Sequence, residues 1–260
     1  MKLKRDDEVI RFRLWSGQME SLLDVTIFLV ATFAGALIVG ATGFAFGLVA
    51  AAMWLHVLTP VQTATLIIAF GLILQGYSVF RLRHALDWRR LWPFVLGAAL
   101  GVPAGVGVLG WADPAHVRAA TGAFLVLYSI YALVRPPLEP IAHGGAAADA
   151  AVGFLNGVLG GMTGLAGILV TIWCGVRGWS KDEQRAVFQP VAVAIFAMSA
   201  AWLGAKGALS GATVQLFFIG LPALAAGTWV GFKLYGRLDE AAFRKAVLVL
   251  LLISGVTLVI

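Results

Sequence analysis

Two stretches decide the reading of this chain: Gly40-Ala-Thr-Gly-Phe-Ala-Phe-Gly47 and Gly160-Gly-Met-Thr-Gly-Leu-Ala-Gly167. Gly40, Thr42, Gly43 and Ala45 recur 121 residues later as Gly161, Thr163, Gly164 and Ala166. Both stretches interrupt long apolar segments. In a soluble helix such glycines mainly cost stability. In a membrane, matched glycine interruptions in two halves of a chain point to a transport site.

Working outward, the composition is that of a membrane protein. The chain is 60% hydrophobic and 12% charged, with a mean hydropathy of +0.91. A soluble domain carries roughly 25% charged residues. The stretches 25–55, 57–80, 91–112, 119–134, 150–176, 186–205, 207–232 and 246–260 contain no Asp, Glu, Lys or Arg. A spanning helix needs about 20 apolar residues, and most of these runs reach that with their flanks. The strands of a membrane barrel are about half as long and alternate in polarity, so a barrel is excluded.

The expected fold is an all-α polytopic membrane protein built from two four-segment repeats. Residues 1–24 form a polar tail, 25–134 the first repeat, 135–149 a proline-rich linker and 150–260 the second repeat. The repeat extends past the glycines. Ala85-Leu86 matches Ala208-Leu209, Gly107 matches Gly231, and Asp113-Pro-Ala-His-Val-Arg118 resembles Asp239-Glu-Ala-Ala-Phe-Arg244.

Loop charge gives the relative orientation, because short cytoplasmic loops collect Lys and Arg. In the first half the middle loop is the basic one, with Arg81, Arg83, Arg89 and Arg90. In the second half the outer loops are basic, with Arg177, Lys181 and Arg185, then Lys233, Arg237, Arg244 and Lys245. The halves are thus expected to be inverted. Four plain crossings per half would leave them parallel. Inversion requires an odd count, which follows if segments 1 and 5, the glycine-broken ones, are re-entrant. Irregular backbone at membrane depth is tolerated where protein or a water-filled cavity covers it.

None of the 13 acidic residues lies well inside an apolar segment. Cation-coupled carriers commonly place carboxylates there, so the pattern argues for an anionic substrate. Neutral polar groups and glycine-freed amides suit an anion, since the N-terminus of a half-helix presents N–H donors and a positive dipole end. The candidate binding set is Thr42, Gly43, Phe44, Gln75, Asn156, Gly161, Thr163, Gly164 and Gln189, with Arg81 and Arg185 at the pathway mouths. The competing role for the glycines is close helix packing. The single cysteine, Cys174, excludes an intramolecular disulfide and a thiolate metal cluster. His56, His84, His116 and His143 do not show metal-ligand spacing. No cofactor, metal or nucleic acid is implied, and no catalytic constellation is present. The partners expected are a small anion and the lipid bilayer, with a homo-oligomer left open.

Residues Gly35-Ala-Leu-Ile-Val-Gly-Ala-Thr-Gly-Phe-Ala-Phe-Gly47 and Gly153-Phe-Leu-Asn-Gly-Val-Leu-Gly-Gly-Met-Thr-Gly-Leu-Ala-Gly167 resemble the two repeat signatures of the sulfite exporter TauE/SafE family. The resemblance covers roughly 25–260. It implies a permease of the bacterial cytoplasmic membrane for sulfite, organosulfonates or related sulfur oxyanions, working in export. Family second repeats often carry a small hydroxyl residue where this chain has Gln189. A passive anion channel and a non-catalytic membrane subunit of a sulfur-metabolism complex remain as alternatives.

Overall fold

A computed structural model describes residues 22–42, 45–82, 86–134, 144–234 and 240–260. Among the described residues there are ten helices and no strand. They are α1 (Leu22–Thr42), α2 (Phe46–Trp54), α3 (Pro60–Leu82), α4 (Trp88–Trp111), α5 (Pro114–Val134), α6 (Ala146–Thr163), α7 (Ile168–Val176), α8 (Lys181–Ala205), α9 (Gly211–Leu234) and α10 (Glu240–Val259). Six of them, α1, α3, α4, α5, α8 and α9, are long and apolar enough to cross a membrane. The eight apolar segments become ten helices because the first and fifth are each split, by 43–45 and by 164–167.

At each split the chain doubles back. Gly35 of α1 faces Phe46 at the start of α2. Further from the break, the Trp54 indole packs on Phe28 with ring centroids 5.1 Å apart, and its Nε1 donates to the Phe28 carbonyl at 3.3 Å. The second hairpin is held by polar contacts at matching heights. Asn156 Oδ1 accepts from the Leu169 amide at 3.3 Å. Asp149 accepts from Trp173 Nε1 at 2.7 Å and from Arg177 Nη1 at 2.9 Å. One hairpin is therefore clasped by aromatic packing, the other by a part-buried ion pair.

The return arm of each hairpin ends in the same device. Thr59 and Gln62 form a reciprocal cap at the start of α3, the Thr59 amide donating to Gln62 Oε1 and the Gln62 amide to Thr59 Oγ1. Ser180 and Glu183 do the same for α8, 121 residues later. Such capping boxes satisfy two orphan donors of a helix start. They fix where each hairpin hands over to the next long helix.

Packing between the halves is reciprocal. Helix α1 lies parallel to α9 and α6 parallel to α4, and these are among the most extensive interfaces in the molecule. A Cβ on Gly40 would lie 2.6 Å from the Thr228 carbonyl oxygen, and one on Gly161 would lie 2.7 Å from that of Val102. Gly101 faces Phe154 and Val158, whereas Gly227 faces Phe33 and Leu37, the residues 121 positions earlier. Gly105 faces Val158 and Met162 as Gly231 faces Leu37 and Ala41. These contacts correct one match drawn from the sequence. The counterpart of Gly231 is Gly105; Gly107 has open space where its Cβ would be. An exposed glycine two residues away imitated the repeat, and only the close approach of the helices sets the register. The α4–α6 seam is a glycine ladder, Gly97, Gly101 and Gly105 against Gly153, Gly157 and Gly161, of the small-residue kind that lets membrane helices touch backbone to backbone.

The remaining long helices also pair half to half. Helix α3 packs on α8 and α5 on α10. Gly122 of α5 meets Leu258 of α10, whereas Gly255 meets Leu125 and Val126. That crossing pattern makes α5 and α10 antiparallel.

Candidate functional site

The two breaks face each other across one cavity of about 470 Å³. Ala45, Phe46, Gly47 and Leu48 line it from the first hairpin, and Gly164 through Ile168 from the second. Gln75 of α3, Tyr128 and Tyr131 of α5, and Thr171 and Gln184 complete its polar lining. Beyond the breaks, Phe28, Phe46, Trp54 and Phe70 form a tight aromatic cluster. In the other direction the cavity runs past Gly175 and Val176 to Gln184, the end where Arg90, Arg177 and Glu183 gather around Trp179.

The backbone at the breaks is special. Ala45 has φ 79°, the one non-glycine residue with positive φ among the described residues. Gly164 and Gly167 have φ 77° and 89°. Left-handed Gly164 ends α6, and left-handed Ala45 and Gly167 precede α2 and α7. The first-turn amides of a helix lack intrahelical acceptors. Those of Gly47 and Leu48, and of Gly167 and Ile168, have no acceptor among the described residues, and all four residues line the cavity. Each helix N-terminus is equivalent to roughly half a positive charge. The N-termini of α2 and α7 together therefore offer about one positive charge to the cavity, enough to balance a monoanion. Among the described residues, no Asp, Glu, Lys or Arg lines it.

The residues singled out in the sequence divide into three groups. Gly164 and Gln75 line the cavity, and Gln75 Oε1 is buried without a partner. Asn156, Thr163, Gly161 and Gln189 are not among the described residues that line it. Thr163 Oγ1 donates to the Leu159 carbonyl at 2.7 Å and accepts from the Leu165 amide at 3.1 Å, holding the turn. Asn156 braces the two arms, with its Nδ2 unpartnered. Gly161 faces α4, and Gln189 is buried in α8 with its Oε1 unpartnered. Arg185 lines a neighbouring groove. Gly43, Phe44 and the side chains of Thr42 and Arg81 lie outside the described residues. Sequence reasoning missed Tyr128 and Tyr131, which the packing of α5 brings in, and the amides of Gly47, Leu48 and Ile168, which have no sequence signature beyond the neighbouring glycines.

Ten helices and no strand among the described residues, six of them long and apolar enough to cross a membrane, with two matched breaks at one cavity, define a polytopic membrane protein. Its family follows from a match over nearly the whole chain. The chain belongs to the family described as Sulfite exporter TauE/SafE, whose model matches residues 27–258. This is a family of membrane transporters, not of enzymes. No curated protein and no solved structure matches the chain.

Proposed function

We propose that this protein is a secondary transporter that exports small anions, namely sulfite, an organosulfonate or a related sulfur oxyanion. The substrate is held between the two helix breaks and moved by alternating access. The observation that carries the reading is the meeting of two sequence-distant breaks, and the helix N-termini that follow them, on one cavity. The family match supplies the substrate class. Within the site, Gly164 and Gln75 contact the anion directly, as do Thr42, Gly43 and Phe44 from the facing break. Thr163, Asn156, Gly161 and Gln189 shape the wall, and Arg81 and Arg185 draw anions toward the mouths.

In the same reading the hairpins α1–α2 and α6–α7 are re-entrant and the repeats are inverted in a bacterial cytoplasmic membrane. The antiparallel run of the equivalent helices α5 and α10 supports inversion. So does the ion pair of Arg90 with Glu183 at 3.1 Å, which joins the N-termini of α4 and α8 on one side. That end also carries Arg89, Arg177, Arg185 and Lys233. It is therefore the cytoplasmic end, and the cavity extends toward the cytoplasm.

The deciding experiment is counterflow in proteoliposomes preloaded with unlabelled sulfite or sulfoacetate. Saturable accumulation of labelled anion is expected. Linear, unsaturable flux points instead to a channel, and no flux of any sulfur oxyanion overturns the proposal. Reporter fusions at 57–60 and 178–182 test the topology, with opposite sides expected. Both on one side would sink the inverted arrangement.

A further inference from the structure

The cavity between the breaks suits one negative charge and not two. Among the described residues no charged side chain lines it, so the counter-charge comes from the N-termini of α2 and α7, about half a unit each. A monoanion is balanced there. A dianion leaves about one charge uncompensated, and an unpaired buried charge weakens binding by roughly a hundred-fold or more. The polar side chains of the cavity are also unevenly satisfied. Thr171 Oγ1 donates to the Gly167 carbonyl at 2.8 Å, and Gln184 Nε2 donates to that of Trp179 at 2.8 Å. Gln75 of α3 has no hydrogen-bond partner among the described residues, and its Oε1 is buried. The last torsion of a glutamine is broad, so either end of its amide can turn to a ligand. A bare oxyanion offers acceptors only and leaves that oxygen unpaired. A ligand with an O–H as well as an anionic oxygen satisfies both ends of the amide.

Sulfite near neutral pH is a mixture of the dianion and hydrogen sulfite, a monoanion that carries its own donor in its O–H form. We propose, on the transport reading above, that the species carried is hydrogen sulfite, and that Gln75 accepts its O–H and so sets the preference for the protonated form. On release hydrogen sulfite dissociates to the sulfite dianion and a proton, so each turnover moves one proton out with the anion. The net charge moved is a single negative one, and an inside-negative membrane potential drives it outward. The substrate then brings its own proton, which fits a chain with no acidic residue well inside an apolar segment. The titratable side chains lining the cavity are Tyr128 and Tyr131 of α5, and Arg185 of α8 lines the adjoining groove. Tyrosine and arginine ionise at about pH 10 and above, so the titration that matters near neutral pH is that of the substrate.

The test is counterflow by the full-length protein in proteoliposomes, at equal pH on both sides between about 6.5 and 8.5, with the flux of protein-free vesicles subtracted. Sulfite is compared with methanesulfinate, a pyramidal monoanion with a methyl group where hydrogen sulfite has its O–H. The KM in total sulfite should rise about tenfold per pH unit once the dianion dominates, as the competent fraction falls, while that of methanesulfinate stays flat. Sulfate, a dianion throughout, should compete about a hundred-fold more weakly than hydrogen sulfite. At the low end of the range wild type should prefer sulfite to methanesulfinate by about tenfold, the worth of one hydrogen bond to a charged partner. Gln75→Leu should remove that preference, a ratio that a merely structural role would not move. A sulfite KM independent of pH overturns the proposal, as does one that changes in step with that of methanesulfinate. Sulfate competing as well as hydrogen sulfite also overturns it, and so does a preference that survives Gln75→Leu. The pH and sulfate measurements use wild type and decide the matter even if Gln75→Leu does not fold. Saturable sulfite flux with any of these results overturns this proposal alone, whereas no saturable flux of any sulfur anion overturns the transport reading and this proposal with it.

Discussion

Replacing single glycines of the second hairpin with alanine should have effects of opposite sign within a dozen residues. Gly175 lies inside α7 with open space where a Cβ would be. Alanine there should stabilise by about 0.5–1 kcal/mol, the ordinary helix preference over glycine. Gly167 holds φ 89°, and its added Cβ would rest 3.3 Å from Ala192 Cβ. Its cost is mainly the left-handed backbone, about 1–2 kcal/mol for an L-residue. Gly164 combines both penalties: φ 77°, and a Cβ 2.8 Å from Ile67 Cγ2 and 2.9 Å from its Cβ. Overpacking adds about 1–3 kcal/mol, for a total of about 2–5 kcal/mol. That is a large share of a typical stability of about 5–15 kcal/mol. Equilibrium unfolding in mixed micelles would rank the three variants. The expected order is Gly175→Ala above wild type, then Gly167→Ala, then Gly164→Ala. A Gly164→Ala protein as stable as wild type would refute the left-handed break and its contact with α3.

Three further outcomes follow from named contacts. Asp149→Ala leaves Arg177 without its 2.9 Å partner in a site where the two side chains are 12% and 19% exposed; a loss of about 3–5 kcal/mol is expected, and Asp149→Ala with Arg177→Met should lose less than the single change. Thr163→Val removes the acceptor of the Leu165 amide, at about 1–3 kcal/mol, read by the same unfolding assay; an unchanged midpoint would discount the hydroxyl as a brace. The pKa of His56, in the connection between α2 and α3, is held below its ordinary 6.5 by partial burial and then by the charge of Arg118. The unfolded chain therefore binds the proton first, so stability should fall as pH drops below about 6.5 and level off below the lowered folded-state pKa. His56→Gln should flatten that slope.

The membrane class of the chain and the two glycine-broken segments are legible in its sequence. Paired glycine breaks, eight apolar segments and the alternation of basic loops are properties of local composition, and composition survives in one dimension. What stayed hidden depends on register across helices. Gly107 passed for the counterpart of Gly231 because spacing alone does not show which glycine touches a neighbour. Gly161 was grouped with Gly164 by proximity, yet three residues turn it through most of a helical turn, toward α4 and away from the cavity. Asp149, one of the acidic residues outside the apolar segments, clasps Trp173 and Arg177 across the hairpin, a role that depends on the fold. Tyr128 and Tyr131 sit in a helix with no polar pattern of its own, and only its packing brings them to the cavity.

The parallel seams of α1 with α9 and of α4 with α6 bind each hairpin to the opposite repeat rather than to its own. The proline-rich stretch at 135–149 is thus a seam in the gene-like order of the chain but not in its mechanics. A protein made only of the first repeat would expose the glycine face of α4 and leave α1 without its closest neighbour, so neither repeat is a unit that can move or mature by itself. In the proposed alternating access, the bodies that rock against each other would be composite, each containing one repeat's hairpin and the other's third long helix. A movement that opened one break would for that reason involve both halves of the sequence at once.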